Sequence, residues 1–182
     1  MNSSLFDTAP DFDLPVAVLK HCHDRIRKQL KTMQQLGSPA AAEASADERR
    51  QAAAAVLRYF DKAAPQHHED EEHDLLPMLA STARDADAML LASLMPEVLA
   101  EHREMEGLWL RLQPQLAALA AGQSATLDRA DVAGFSELYL RHMEKEEGHI
   151  ATMASRLFSP AQMQQLGNAM RTRRGIALPD GA

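Results

Sequence analysis

Between Pro15 and Leu36 the apolar residues Val18, Leu19, Ile26, Leu30 and Met33 recur at helical spacing, which predicts a first helix over this stretch. It should begin near Leu14 to Pro15, with Asp13 as N-cap and Pro15 in the first turn, and end at about Leu36, where "GSPAAAEAS" breaks the pattern. A second helix starts near Asp47 and continues past Leu57 and Phe60 to about Leu79. Pro65 must kink or interrupt it, because proline lacks the N–H and crowds the preceding turn. A third helix covers roughly Asp85 to Leu119, with Pro96 and Pro114 as irregularities, and after "AAGQSAT" a fourth runs from about Asp128 to Phe158. Ser159 and Pro160 restart the chain, Gln162 completes a capping box, and a shorter fifth helix reaches about Arg173. Four long helices joined by short loops read as an all-α, up-and-down antiparallel four-helix bundle. The expected division is an N-terminal arm over 1–13, the bundle over 14–158, and a short extra C-terminal helix with a tail over 159–182.

Composition agrees with this reading. Ala, Leu, Met, Gln and Glu are plentiful, β-branched and aromatic residues are few, and 182 residues suit one domain with a real core. The net charge of -7 argues against a nucleic-acid binder, which needs a basic surface, and disfavours docking on anionic membranes. The small basic cluster "RTRRG" is read as cations closing the last helix. The start "MNSSLFDTAPDFDLP" has neither a basic n-region nor an apolar core, and no run is long enough to span a bilayer, so a cytoplasmic setting is expected. The single cysteine, Cys22, excludes a disulfide framework or a Cys-rich metal site, and it is read as a small apolar residue with no role. The sequence assigns no oligomeric state.

The chemistry concentrates in "HHEDEEHDLLPML", which begins at His67 and opens with three histidines, three glutamates and one aspartate. Such a run is usually a solvated face, and a lone histidine is more often a surface or hydrogen-bonded residue than a ligand. The rest of the chain changes that balance. A displacement of 75 residues lays "HHEDEEHDLLPMLA" on "HMEKEEGHIATMAS" from His142, matching the histidine, the glutamate two residues on and the Glu-Glu pair. A displacement of 79 lays His23 on His102, with apolar residues three and seven positions later in both. The chain thus reads His, then His-x-x-x-Glu, twice: His23 with His67 and Glu71, and His102 with His142 and Glu146. Two similar hairpins would pack around a pseudo-twofold axis. Residues four apart lie about 40° apart around a helix, so each His-x-x-x-Glu presents both side chains on one face.

Four imidazoles and two carboxylates buried without a metal would carry a large desolvation cost, whereas a pair of divalent ions balances the charge. Imidazole with carboxylate suits iron, and also zinc, manganese or nickel, while the lack of thiolates disfavours copper(I). The zinc-protease motif is excluded, because Glu72 stands where its second histidine is required. A ferritin-like site needs Glu-x-x-His on two helices, and only Glu146 with His149 satisfies that spacing.

Taken as a set, His23, His67-x-x-x-Glu71 with the following "EEHDLLP", His102 and His142-x-x-x-Glu146 resemble the hemerythrin-like, or HHE cation-binding, family. The resemblance covers about Leu14 to Phe158 and implies a non-heme di-iron centre bridged by two carboxylates and an oxo or hydroxo group. It places His23 and His67 on one iron, His102 and His142 on the other, and Glu71 and Glu146 between them. The oxygen carriers of the family have His-x-x-x-His on the third helix, where this chain has Glu106. Their last carboxylate is an aspartate five residues after its histidine, where this chain has Glu146 at four and Glu147 at five. Glu106 is a candidate terminal ligand, or else an acid that hydrogen-bonds a ligand histidine. Arg27 holds the corresponding place after His23, so the two irons would differ, leaving one an open position for a small molecule. His68, His73 and His149 are expected at the surface or beside the ligands, and Glu72 and Glu147 likewise. The implied function is binding or sensing of dioxygen, nitric oxide or peroxide. The alternative is a di-iron oxidase or peroxidase, or an iron-handling protein of storage, detoxification or repair. Residue types alone leave zinc or manganese open in place of iron.

Overall fold

The computed structural model describes residues 11–123 and 126–179, and every regular element among them is helical. Most of the expected N-terminal arm, residues 1–10, and the end of the tail, 180–182, lie outside the described residues. Helix α1 spans Pro15–Leu36. Its N-cap is Leu14, not Asp13, and no side chain caps it. Asp13 is engaged elsewhere: its carboxylate accepts from Arg171 Nη2 at 2.8 Å. A short 3-10 turn, Pro39–Glu43, occupies the stretch expected to be a simple break.

The second rod is three α segments end to end, α2 (Ala46–Arg58), α3 (Ala64–Asp70) and α4 (Leu76–Thr82). Ser45 and Glu48 close a capping box at its start. Wide π turns at Tyr59–Ala63 and Glu71–Leu75 join the segments. The interruption expected at Pro65 takes this form: the Ala64 N–H donates to the Tyr59 carbonyl, and the extra residue relieves proline's crowding of the turn before it. Pro77 follows the second π turn in the same way. The third rod, α5 (Asp85–Ala120), carries Pro96 and Pro114 within a single helix. The fourth rod is α6 (Arg129–Lys145) and α7 (Ala151–Leu157), joined by a π turn at Glu146–Ile150. No proline follows this turn, and the Thr152 hydroxyl donates to the Glu147 carbonyl at 3.1 Å. Helix α8 (Pro160–Arg173) starts in the expected Ser159–Gln162 capping box.

The first rod packs on the second and the fourth, and α5 packs on the second rod and on α6. Pairs Asp87–Arg156, Glu97–Lys145 and Arg111–Asp131 descend the fourth rod as they ascend α5, so these two run in opposite directions. The apolar faces form two clusters. One gathers Ile26, Leu30, Phe60, Met105, Leu112 and Phe135, and the other Leu19, Leu75, Leu79, Val98, Ile150 and Leu166. Each fully buried side chain of this size contributes about 1.5–3 kcal/mol. Every long rod passes from one cluster to the other, and it carries its histidine at the crossing.

The last helix is fastened by charge. Asp70, fully buried, accepts from Arg174 Nη2 at 2.6 Å and Nη1 at 3.1 Å and also from Arg173, whose Nη2 reaches Asp74 at 2.6 Å. The basic cluster therefore does more than close its own helix, and Asp70 is shielded from water. Arg171 takes Asp11 and Asp13, while the Phe12 ring lies under Arg171 and Arg174 at 5.7 and 5.4 Å. Gly167 makes this docking close, since a Cβ there would sit 2.0 Å from the Phe12 carbonyl oxygen. No helix among the described residues is long and apolar enough to cross a membrane.

Gly167→Ala should force the Phe12 backbone off α8 and destabilise the fold by about 1–3 kcal/mol. Urea denaturation would measure the loss, and limited proteolysis should cut earlier near Phe12. An unchanged midpoint and cleavage pattern would count against this contact.

Candidate metal centre

The crossing layer brings His23, His67, Glu71, His102, His142 and Glu146 together, none more than 3% exposed. All four Nε2 atoms face the two carboxylates. His67 Nε2 is 3.3 Å from Glu71 Oε1, His102 Nε2 3.5 Å from Glu71 Oε2, His23 Nε2 3.2 Å from Glu146 Oε2, and His142 Nε2 3.1 Å from Glu146 Oε1. Two four-residue donor groups result: His23, His67, Glu71 and Glu146, and Glu71, His102, His142 and Glu146. Within each group the donor atoms lie within 4.8 Å of one another. Both glutamates belong to both groups, each from the first residue of a π turn. His23 Nε2, Glu71 Oε2 and Glu146 Oε2 are buried with no hydrogen-bond partner among the described residues. Unpaired buried acceptors are costly, and a cation between them would satisfy all three.

The outer nitrogens are occupied. Glu147 Oε1 accepts from His23 Nδ1 at 2.9 Å, Glu72 Oε1 from His102 Nδ1 at 2.7 Å, and Glu101 Oε2 from His142 Nδ1 at 2.9 Å. A carboxylate on Nδ1 fixes the tautomer that leaves Nε2 free for a metal and raises the basicity of the ring. Arg27 in turn clamps Glu147 with two bonds of 2.9 and 3.0 Å, and Lys145 donates to Glu101 at 2.9 Å. His67 Nδ1 alone among the four lacks a partner among the described residues.

Electrostatics show what the layer does without a cation. Burial would depress the imidazoles of His23 and His142, but Glu146 and then Glu71 outweigh it and raise both above the usual value. Burial, followed by neighbouring imidazoles, holds His67 and His68 well below it. Burial together with the charge of Glu146 pushes Glu71 well above the carboxylate range. Burial acts on Glu146 in the same direction, yet His142 and His23 overcome it and hold that carboxylate well below. Without a cation, burial thus disfavours charge on Glu71, while Glu146 favours it on His23 and His142.

Of the residues singled out by sequence, Glu106 stands apart. It is exposed and belongs to neither group, lining instead a small side cavity with Glu72, Trp109 and His68. The space one turn on from His102 is taken by His68, which stacks on the His102 ring with centroids 4.0 Å apart and planes 10° from parallel. Tyr139 lies behind, its hydroxyl 3.3 Å from His68 Nε2. His73 and His149 are exposed, and Cys22 is half-buried with its thiol pushed up to about 11, mainly by burial. Sequence reasoning assigns no place to Glu101. Its one available signal is position, directly before His102, and that says nothing of a partner on another helix.

A family model described as the hemerythrin HHE cation binding domain matches residues 14–154. No curated protein matches the chain.

Removing the carboxylates on the outer nitrogens should have a measurable effect. Glu101→Ala and Glu147→Ala should each weaken metal affinity about 10–100-fold, read by chelator competition. In the metal-free protein the raised His23 and His142 contribute stability below their ordinary pKa of 6.5, and it is lost as pH rises through their folded values. Metal requires the same rings deprotonated, so the gain in Tm on loading should grow as pH rises from about 6 to about 8. A gain that stays flat or shrinks over that range would contradict the assignment.

Proposed function

The chain belongs to the hemerythrin HHE cation-binding family, and on that premise we propose a non-heme di-iron protein that binds or senses a small molecule such as dioxygen, nitric oxide or peroxide. One iron would be held by His23 and His67, the other by His102 and His142, with Glu71 and Glu146 shared. The observation that carries this is the pair of donor groups with both glutamates in common. The up-and-down antiparallel four-helix bundle belongs to the same reading, supported by the opposed run of α5 and the fourth rod and by the return of the fourth rod onto the first. So does a cytoplasmic setting.

When bound, the iron pair supplies redox-active metal with a position for an exogenous ligand. The protein supplies the surroundings. The two apolar clusters flank the layer along the rods, Glu72, Glu101 and Glu147 orient three of the rings, and the rings and carboxylates that would hold metal would have to be deprotonated to do so. Iron fits the nitrogen and oxygen donors, and zinc or manganese share that preference. The oxidase or peroxidase reading draws on Glu106 as a third carboxylate. With Glu106 exposed and outside both groups, the binding reading is preferred.

Anaerobic loading with ferrous iron followed by metal analysis should give two irons per chain, and His67→Ala combined with His142→Ala should abolish loading. Chelation should lower Tm, since metal held only by the folded state stabilises it by mass action. Absorption spectra with dioxygen, peroxide and nitric oxide would then identify the ligand. One iron or fewer per chain, or loading unchanged in the double variant, would sink the proposal.

A further inference from the structure

The two sides of the layer are unlike. Toward α5 it is shut by His68 stacked on His102, with Tyr139 behind. Toward α1 a cleft of about 720 Å³ reaches it, and His23, Glu71 and Glu146 form the inner end. The walls follow the first rod from His23 back to Asp13 and the fourth from Glu146 on to Arg156. At 1.5 Å per helical residue that is a path of about 15 Å. Leu19, Leu75 and Ile150 are buried along it, Val16 and Met163 continue the apolar wall outward, and exposed Lys20, Thr152 and Ser155 edge it.

A diatomic molecule or peroxide fills little of this space. A water's share of liquid is about 30 Å³, whereas sites for small organic molecules run about 300–1,000 Å³. The charges at the rim select among such molecules. Arg156 is paired with Asp87, Asp13 with Arg171, and Glu147 with Arg27. Lys20 pairs with no carboxylate among the described residues. It stands on α1 three residues before His23, one turn from the inner end.

We propose that this cleft binds an organic anion with an elongated apolar body, such as a medium-chain carboxylate, its head beside Lys20 and its tail along Val16, Leu19, Ile150 and Met163. The proposal rests on the di-iron reading only for what the head meets at the inner end, because the apolar wall and Lys20 act whether or not metal is bound. A cation pair there would further favour the head, so loading should tighten the anion and leave a neutral analogue unaffected.

The test is calorimetric titration of octanoate and octanol into the full chain, metal-free and iron-loaded. Octanoate should bind both forms, and more tightly the loaded one. Ala151→Trp, which fills the cleft, should weaken octanoate and octanol tenfold or more. Lys20→Ala should weaken octanoate several-fold and leave octanol unchanged. Val16→Trp serves as a second cleft-filling variant, and circular dichroism with thermal melting shows that each variant is folded. Wild-type protein that binds neither probe, or binds both as well in the folded cleft-filling variants, overturns the proposal. Iron content of the same samples judges the other reading separately. A chain that holds iron but no octanoate loses the cleft, and one that holds octanoate but no iron keeps the cleft and loses the centre.

Discussion

Burying an ionised side chain between apolar surfaces costs several kcal/mol unless partners replace its water, and this protein places six ionisable side chains in one such layer. Much else can be understood as an answer to that cost. Two clusters of Leu, Ile, Met and Phe hold the rods in place on either side of the layer. Carboxylates at the edge of the layer take the outer nitrogens of three histidines, and Arg27 and Lys145 neutralise two of those carboxylates where water begins. What is left uncompensated is the middle, where His23 Nε2, Glu71 Oε2 and Glu146 Oε2 have no hydrogen-bond partner among the described residues. A proton on Glu71 would relieve part of this, and a bound cation would relieve it more completely.

The helices and the doubled motif are legible in the sequence because both depend on short intervals along the chain. Spacing of three and four residues locates the rods to within a few residues, and the 75-residue echo of His67 and Glu71 at His142 and Glu146 finds the residues that meet in the layer. The same echo relates the π turns Glu71–Leu75 and Glu146–Ile150. Apolar spacing does not announce these turns, since one extra residue in a turn only rotates the rest of the helix about its axis. The failures share a cause. A ligand role for Glu106 extrapolates helical geometry on α5 alone, but the place beside His102 is filled from the second rod by His68. Asp70 reads as one more acid in a charge run, and its burial is decided by arginines about a hundred residues away. Glu101 gains meaning only from His142, on a different helix.

The likeness between the two halves stops where each has its own neighbour. A displacement of 79 puts Arg27 on Glu106 and Cys22 on Glu101. On one side an arginine clamps the carboxylate that holds His23, and at the matching place an exposed glutamate points elsewhere. His142 has Glu101 on its outer nitrogen, whereas His67 has no such partner among the described residues. Together with the cleft on one face and the stacked His68 on the other, these differences make a nearly symmetric donor set chemically one-sided.

The docking of α8 reaches further than the stability of one helix. Leu14, Pro15 and Val16 on one edge of the cleft and Met163 on another come from near the two ends of the chain, and those ends are tied to each other through Phe12, Gly167 and Arg171. Loosening of that contact would change the width of the path from solvent to the buried layer. Access to the interior therefore depends on how firmly Arg171 holds Asp11 and Asp13 at the outer end of the cleft.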